Sequence, residues 1–224
     1  KVRTDLEAES KREAERLVSE FSGNWLILRP GNVYGPGDEV LSTLLEMVRT
    51  LPAVPTVGSG DQPFQPVFSE DLAECVARAV VEDDPSRTVL ELAGREVTST
   101  REVLEILGEI TGKSPPRVPL PSVIVERGVE VAGAMGVDLP ISNDVLTMLA
   151  EGNVISPDRS NALTDLFGVE PTPLRRGLER LAEEQPELRA ELGAALAAKL
   201  ARIAWATLRR ELRFEPIPAG SAMA

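Results

Sequence analysis

Histidine is absent from this 224-residue sequence. The absence excludes a Ser-His-Asp triad and any zinc site that relies on histidine, because both need an imidazole. We therefore expect no metal site. Any chemistry must use Lys, Asp, Glu, Tyr or a cofactor.

Cysteine, long apolar runs and positive charge are also scarce. The one cysteine, Cys75, has no partner for an internal disulfide, so we expect a reduced compartment and a cytoplasmic location. No apolar run approaches the roughly 18 residues needed to span a bilayer, and no charged-then-apolar leader opens the chain. The net charge of -12 excludes a general nucleic-acid role, because phosphate binding needs clustered Lys and Arg.

What is present has the pattern of an α/β protein. Apolar residues recur at helical spacing from Glu7 to Phe21, and the short apolar run at 25–29 is typical of a strand buried on both faces. Further helices are predicted over residues 40–51, 70–81, 101–111, 123–135, 141–151, 174–184 and 186–213, and a second strand begins at Thr88. Helix and strand therefore alternate through the first half of the chain.

Local chemistry predicts several roles that are only structural. The run Thr98-Ser-Thr-Arg-Glu is predicted to be a capping stretch for helix 101–111, and Gly112 supplies its stop. Asp71 is expected to cap helix 70–81, because a carboxylate suits a helix N-terminus. Tyr34, the only tyrosine, has no lysine beside it at helical spacing, so core packing is its expected role.

Three motifs in fixed order resemble the extended and atypical short-chain dehydrogenase/reductases, which include the NAD-dependent epimerases and dehydratases. The motifs are Ser10-Lys11 with Ala14-Glu15, the run from Leu28 to Gly37, and Asp71-Leu72-Ala73. Two later stretches, residues 91–102 and 139–172, resemble a narrower branch. That branch contains bacterial relatives of the nucleotide-binding accessory subunit of respiratory complex I.

The resemblance implies the C-terminal part of a larger α/β fold. We expect a partial Rossmann-type doubly wound parallel sheet without its N-terminal strands, a small α/β substrate-type domain and a C-terminal helical tail. The corresponding ranges are 1–85, 86–185 and 186–224. The implied cofactor is NAD or NADP, and its binding needs the missing N-terminal half, because the glycine-rich loop that holds the pyrophosphate is not in this sequence.

The family pattern Tyr-x-x-x-Lys falls on the first helix. Lys11 matches the lysine that holds the nicotinamide ribose, with an ordinary solvated lysine as the alternative, and Glu7 stands at the tyrosine position. As the catalytic candidate, Glu7 either relays a proton, if burial raises its pKa, or pairs with Lys11 at i and i+4. Whether the protein is an enzyme is left open by this substitution.

Two further motif positions imply ligand contacts. Pro30, Gly31 and Val33 are expected near the nicotinamide, the alternative being a plain strand-to-helix loop. Asn32 either lines the substrate pocket or satisfies a turn. Phe64 stands at the substrate-site position where sugar-nucleotide relatives carry a diphosphate-binding arginine, which disfavours a nucleotide-sugar substrate.

These expectations favour an NAD(P)-binding protein of the atypical reductase/epimerase group with a structural, assembly or sensing role and weak or no redox turnover. One alternative is an active NAD(P)-dependent oxidoreductase or epimerase acting on a small or lipid-like substrate that is not a sugar nucleotide. Another is a membrane-associated interaction subunit that meets a protein partner or a membrane surface through its basic C-terminal helix. In that case the protein is peripheral to a membrane.

Overall fold

Helices and short strands alternate in the computed structural model, which describes residues 2–82, 86–120, 154–155 and 159–185; the side chains of residues 2–8, 82 and 120 are outside that description. The described helices are α1 (Val2–Ser19), α2 (Leu41–Thr50), α3 (Ser69–Glu82), α4 (Thr100–Thr111), α5 (Ala162–Asp165) and α6 (Leu174–Glu184). The described strands are β1 (Leu26–Pro30), β2 (Val33–Tyr34), β3 (Val54–Val57), β4 (Pro63–Phe64), β5 (Val67–Phe68), β6 (Thr88–Leu92), β7 (Thr98–Ser99) and β8 (Arg117–Leu120).

The central feature is a parallel pair, β1 with β6, running in register from Leu26 opposite Thr88 to Pro30 opposite Leu92. A parallel connection needs a crossover, and α3 lies within this one. Leucines of both strands pack on the buried Cys75 of α3 and on α5. The carboxyl ends of β1 and β6 consequently lie side by side, at the edge where open α/β sheets bind ligands.

A second core lies among α2, α4 and α6. It contains leucines of all three helices together with Val54, Phe64 and Phe68. Two strand pairs flank it: β3 with β8 in parallel and β4 with β7 antiparallel. Helix α6 thus joins residues far apart in sequence, because Leu178 and Leu181 are fully buried against elements from the first half of the chain.

Most sequence-predicted elements agree with the described ones to within one residue at their ends, but α1 begins at Val2, five residues before its predicted start. The capping prediction for α4 is confirmed, since the Ser99 side chain accepts from the Glu102 N–H, the Glu102 carboxylate accepts from the Ser99 N–H, and Gly112 adopts a left-handed conformation. The predicted helices at 123–135, 141–151 and 186–213 lie outside the described residues.

The predicted α/β class with parallel strands is confirmed. The predicted boundary between residues 85 and 86 stays a prediction. Both core clusters draw residues from each side of it: Phe64 and Leu107 belong to one cluster, and Val67 and Leu92 belong to the other. The predicted tail at 186–224 lies outside the described residues.

Candidate functional site

The candidate loop, defined as residues Gly31 to Val40, begins at the carboxyl end of β1. Its backbone packs directly against the backbone of neighbouring segments. The Gly31 N–H donates to the Leu92 carbonyl at 2.7 Å. A Cβ atom added to Gly31 would lie 2.8 Å from the Gln65 carbonyl oxygen, which leaves no room for a larger residue without movement. The far end of the loop is fixed by Asp38, whose Oδ1 accepts from the Val40 and Leu41 N–H groups at the start of α2.

Asn32, in the candidate loop, has a side-chain oxygen that accepts no hydrogen bond from the described residues. Its backbone carbonyl accepts from the Val67 N–H at 2.9 Å, and the residue is 8% exposed. Its side-chain Oδ1 is buried and has no hydrogen-bond partner within the described part of the chain. Buried polar atoms are nearly always paired in native proteins. No hydrogen bond therefore supports the alternative in which Asn32 Oδ1 satisfies a turn. The other alternative, that Asn32 lines the substrate pocket, stays a prediction.

The other loop candidates differ in their exposure. Pro30 and Val33 have exposed side chains, whereas Gly31 is half-buried. Phe64 is 2% exposed and belongs to the core around α2, α4 and α6. The structure therefore does not present its phenyl ring to solvent, and its predicted contact with substrate stays a prediction.

Helix α1 carries the remaining two candidates. The side chain of Lys11 is exposed, and Glu7 lies in α1 with its side chain outside the description. One turn beyond Lys11, Glu15 accepts from the Nε atom of Arg29 at 2.8 Å, which ties α1 to β1. This hydrogen bond lowers the pKa of the Glu15 carboxyl. The link brings the lysine-bearing helix to the strand that precedes the candidate loop.

Tyr34 belongs to the candidate loop, but its side chain points into the core and is unsuited to proton transfer. It is 1% exposed and packs in the core, which confirms the predicted packing role, and its ring centroid is 5.3 Å from that of Phe68. Burial, followed by the nearby carboxylates of Asp71, Glu96 and Asp38, raises the pKa of this phenol above its usual value. Tyr34 therefore stays protonated at neutral pH.

Sequence reasoning missed a set of contacts from the segment 161–185. The prediction that Asp71 caps its own helix is wrong, because its two carboxylate oxygens accept from the Thr172 N–H at 2.7 Å and hydroxyl at 2.8 Å. The Glu96 carboxylate accepts from the Leu174 N–H at 3.1 Å, at the start of α6. Each contact joins residues more than 70 positions apart, and no local pattern could have revealed it.

Neither a metal-ligand cluster nor a membrane-spanning helix occurs among the described residues. No group of three or more Cys, Asp or Glu side chains there could hold a metal ion. Within the same residues, no helix is both long enough and apolar enough to cross a bilayer.

Comparison with known proteins tests the family resemblance. Residues 8–93 match the sequence model of the "NAD dependent epimerase/dehydratase family". The resemblance is confirmed. The matched region contains Lys11, the whole candidate loop and the β1–β6 pair, so the predicted cofactor class is also confirmed at the level of the family, whose description is NAD dependent.

A curated relative supports the narrower branch. The chain is 30% identical over 156 residues to the mitochondrial "NADH dehydrogenase [ubiquinone] 1 alpha subcomplex subunit 9" of Arabidopsis thaliana. The match covers 69% of this chain and 37% of the relative. By its name, that relative is a subunit of an NADH dehydrogenase.

Solved epimerase structures share the fold. UDP-glucose 4-epimerase of Thermotoga maritima, solved with UDP-glucose, has a TM-score of 0.55 and 21% identity, covering 79% of this chain and 50% of that chain. The Thermus thermophilus enzyme, solved with NAD, has a TM-score of 0.53 and 20% identity, covering 78% and 50%. At this identity the likeness shows the fold alone. The chain spans about half the length of these epimerases.

Proposed function

We propose that this chain contributes to an NAD(P)-binding protein of the epimerase/dehydratase type whose role is structural, assembly or sensing, with weak or no redox turnover. One observation carries the proposal. The region that matches the family, residues 8–93, contains Lys11, Pro30 and the candidate loop. The position four residues before Lys11, where the family has tyrosine, holds Glu7.

The retained features favour cofactor binding. An exposed lysine provides a charged donor for ribose hydroxyls, and such charge-assisted hydrogen bonds are stronger than neutral ones. The glycine at position 31 lets the backbone at the carboxyl edge of β1 stay closely packed. The nearby buried Oδ1 of Asn32 is available to a ligand donor.

The substituted features disfavour the family chemistry. A carboxylate at position 7 cannot reproduce a lysine-activated phenolate, which has a much higher intrinsic pKa. The buried phenol of Tyr34 does not replace it, because its raised pKa opposes proton release. Phe64 offers no charge to a diphosphate. An assembly role also agrees with the curated relative, which is by name a subunit of an NADH dehydrogenase.

The test uses protein expressed from the whole reading frame. NADH and NADPH are titrated by fluorescence, and turnover is assayed on a panel of carbonyl, alcohol and nucleotide-sugar substrates. We expect saturable binding without turnover. Lys11→Met should weaken binding by about tenfold or more, the order expected for one charge-assisted hydrogen bond.

Glu7→Gln separates the alternatives. If Glu7 pairs with Lys11, its neutralisation should leave binding intact or tighten it, whereas Glu9→Gln, an equal charge change on an exposed residue of the same helix, should have no effect. Turnover that Glu7→Gln abolishes while NADH binding survives would establish the oxidoreductase alternative instead. Absence of any affinity for NADH and NADPH would refute the proposal.

A further inference from the structure

The phenol of Tyr34 is seated directly on the backbone of α6. A Cβ atom added to Gly177 would lie 2.0 Å from the Tyr34 Oη and 2.7 Å from its Cζ, so even alanine cannot be accommodated without displacing the ring. Glycine disfavours a helix interior relative to alanine. Its presence inside α6 is therefore explained by the ring that lies against it.

Hydrogen bonds from distant parts of the chain hold helix α6 at both ends. At its start, the Leu174 N–H donates to Glu96, and Thr172 donates twice to Asp71. At its end, the guanidinium of Arg49 donates to the carbonyls of Ala182 and Gln185, each at 2.6 Å. These contacts also satisfy backbone groups that a helix leaves unpaired at its termini.

The ring connects this fixed helix to the candidate ligand loop. Tyr34 follows Asn32 by two residues, and β2, which contains Tyr34, pairs with β5. The buried Oη has no hydrogen-bond partner among the described residues, so the ring is located by packing against Gly177 and Phe68 and not by a polar contact. We therefore expect a displacement of the ring to be transmitted to the short backbone segment that carries Asn32.

We propose that Tyr34 is a positioning residue for nicotinamide dinucleotide binding, acting through its contact with Gly177 so that α6 sets the place of Gly31 and Asn32. The inference rests on the proposed function. It adds a part of the chain outside residues 8–93, the extent of the family match, to the determinants of cofactor affinity.

A double-mutant cycle in protein from the whole reading frame tests the contact. Gly177→Ala and Tyr34→Leu should each raise the Kd for NADH by about fivefold or more, a factor within the range of coupling between contacting residues. The double variant should resemble either single variant, because the same contact is lost. Arg176→Ala, an exposed neighbour on α6, should change Kd by less than about twofold.

Binding is measured only on variants whose far-UV circular dichroism equals that of the wild type, so that a change in Kd is not unfolding. If the single variants have lower thermal stability but an unchanged Kd for NADH, the contact between Tyr34 and Gly177 is purely structural and the inference is overturned. Effects that multiply in the double variant would overturn it too, because the two residues would then act independently.

Hydrogen exchange on the wild type gives an independent answer if the variants do not fold. NADH should slow exchange of the amides of Leu178 and Leu181 in α6 more than that of Leu107 in α4. Saturable binding without this protection would refute the positioning role alone. A wild type that binds neither NADH nor NADPH would refute the proposed function and the inference together.

Discussion

Asn161 shows how a single side chain can join strands and helices that sequence patterns treat separately. Its Oδ1 accepts from the Ala93 N–H at 3.1 Å and its Nδ2 donates to the Ala93 carbonyl at 2.8 Å, as a neighbouring strand would. The same Oδ1 accepts from the Leu163 N–H and so caps α5. Ala93 follows β6 directly, so Asn161 fixes the backbone beside the candidate loop.

Asn161→Ala should lower the free energy of unfolding by about 1–3 kcal/mol, because it leaves the backbone groups of the buried Ala93 without these partners. Urea denaturation measures the loss. Glu170→Ala, an exposed residue in the same segment, is the control and should change the free energy by less than about 0.5 kcal/mol. Equal stability of Asn161→Ala and wild type would contradict the bridging role.

Gly94 is required by a packing contact that no local sequence pattern reveals. In sequence it is an ordinary glycine after a strand, yet a Cβ atom there would lie 1.8 Å from the Pro66 carbonyl oxygen. Its neighbour in space, Gln65, donates to the Gly94 carbonyl at 2.8 Å. The need for glycine arises from a chain segment nearly thirty residues away, and only the folded arrangement reveals it.

At the scale of elements, local sequence rules predict the helices well, but they do not predict which strands pair or which elements pack together. The ends of α4 were predictable because Ser99, Glu102 and Gly112 act on their own helix. The pairing of β3 with β8 was not, since Val54 and Arg117 come together only when intervening elements have packed. The attachment of α1 to β1 through Glu15 and Arg29 is a similar long-range contact.

This attachment should depend on pH. The folded-state pKa of Glu15 is lowered, chiefly by its hydrogen bond to Arg29, so its contribution is present above the unfolded-state pKa and is lost as pH falls through the lowered value. Carboxyl NMR titration should therefore give Glu15 a lower pKa than the same residue in Arg29→Gln. Identical titration curves would contradict the ion pair. Because Arg29 is exposed and Glu15 is only partly buried, we expect little effect on global stability.

At the scale of the whole molecule, the segment 161–185 links the two cores. Its α5 packs with Val67 and Leu92 in one core, and its α6 packs with the α2 and α4 leucines in the other. The family motifs in the sequence predicted the candidate loop and the helix that carries Lys11, because those features are local. They did not reveal that the loop rests on α6, since Tyr34 and Gly177 are separated by more than 140 residues.

The same arrangement predicts where the chain can be shortened. Arg49 donates to the carbonyls of Ala182 and Gln185, and the apolar residues of α6 are buried before that point, so α6 is complete at Gln185. Deletion of residues 186–224 should therefore preserve NADH affinity and change the free energy of unfolding by less than about 1 kcal/mol.

The truncated protein also tests the basic C-terminal segment as a membrane or partner contact. If Lys199, Arg202 and Arg209 meet anionic lipid, flotation with phosphatidylserine vesicles should be lost on truncation and reduced by high salt, because exposed charges are screened. Charge reversal of these three residues in the whole protein is the matched variant and should give the same loss. Equal flotation of whole and truncated protein would refute a membrane role for this segment. A loss of NADH affinity on truncation would show that α6 alone does not support the candidate loop.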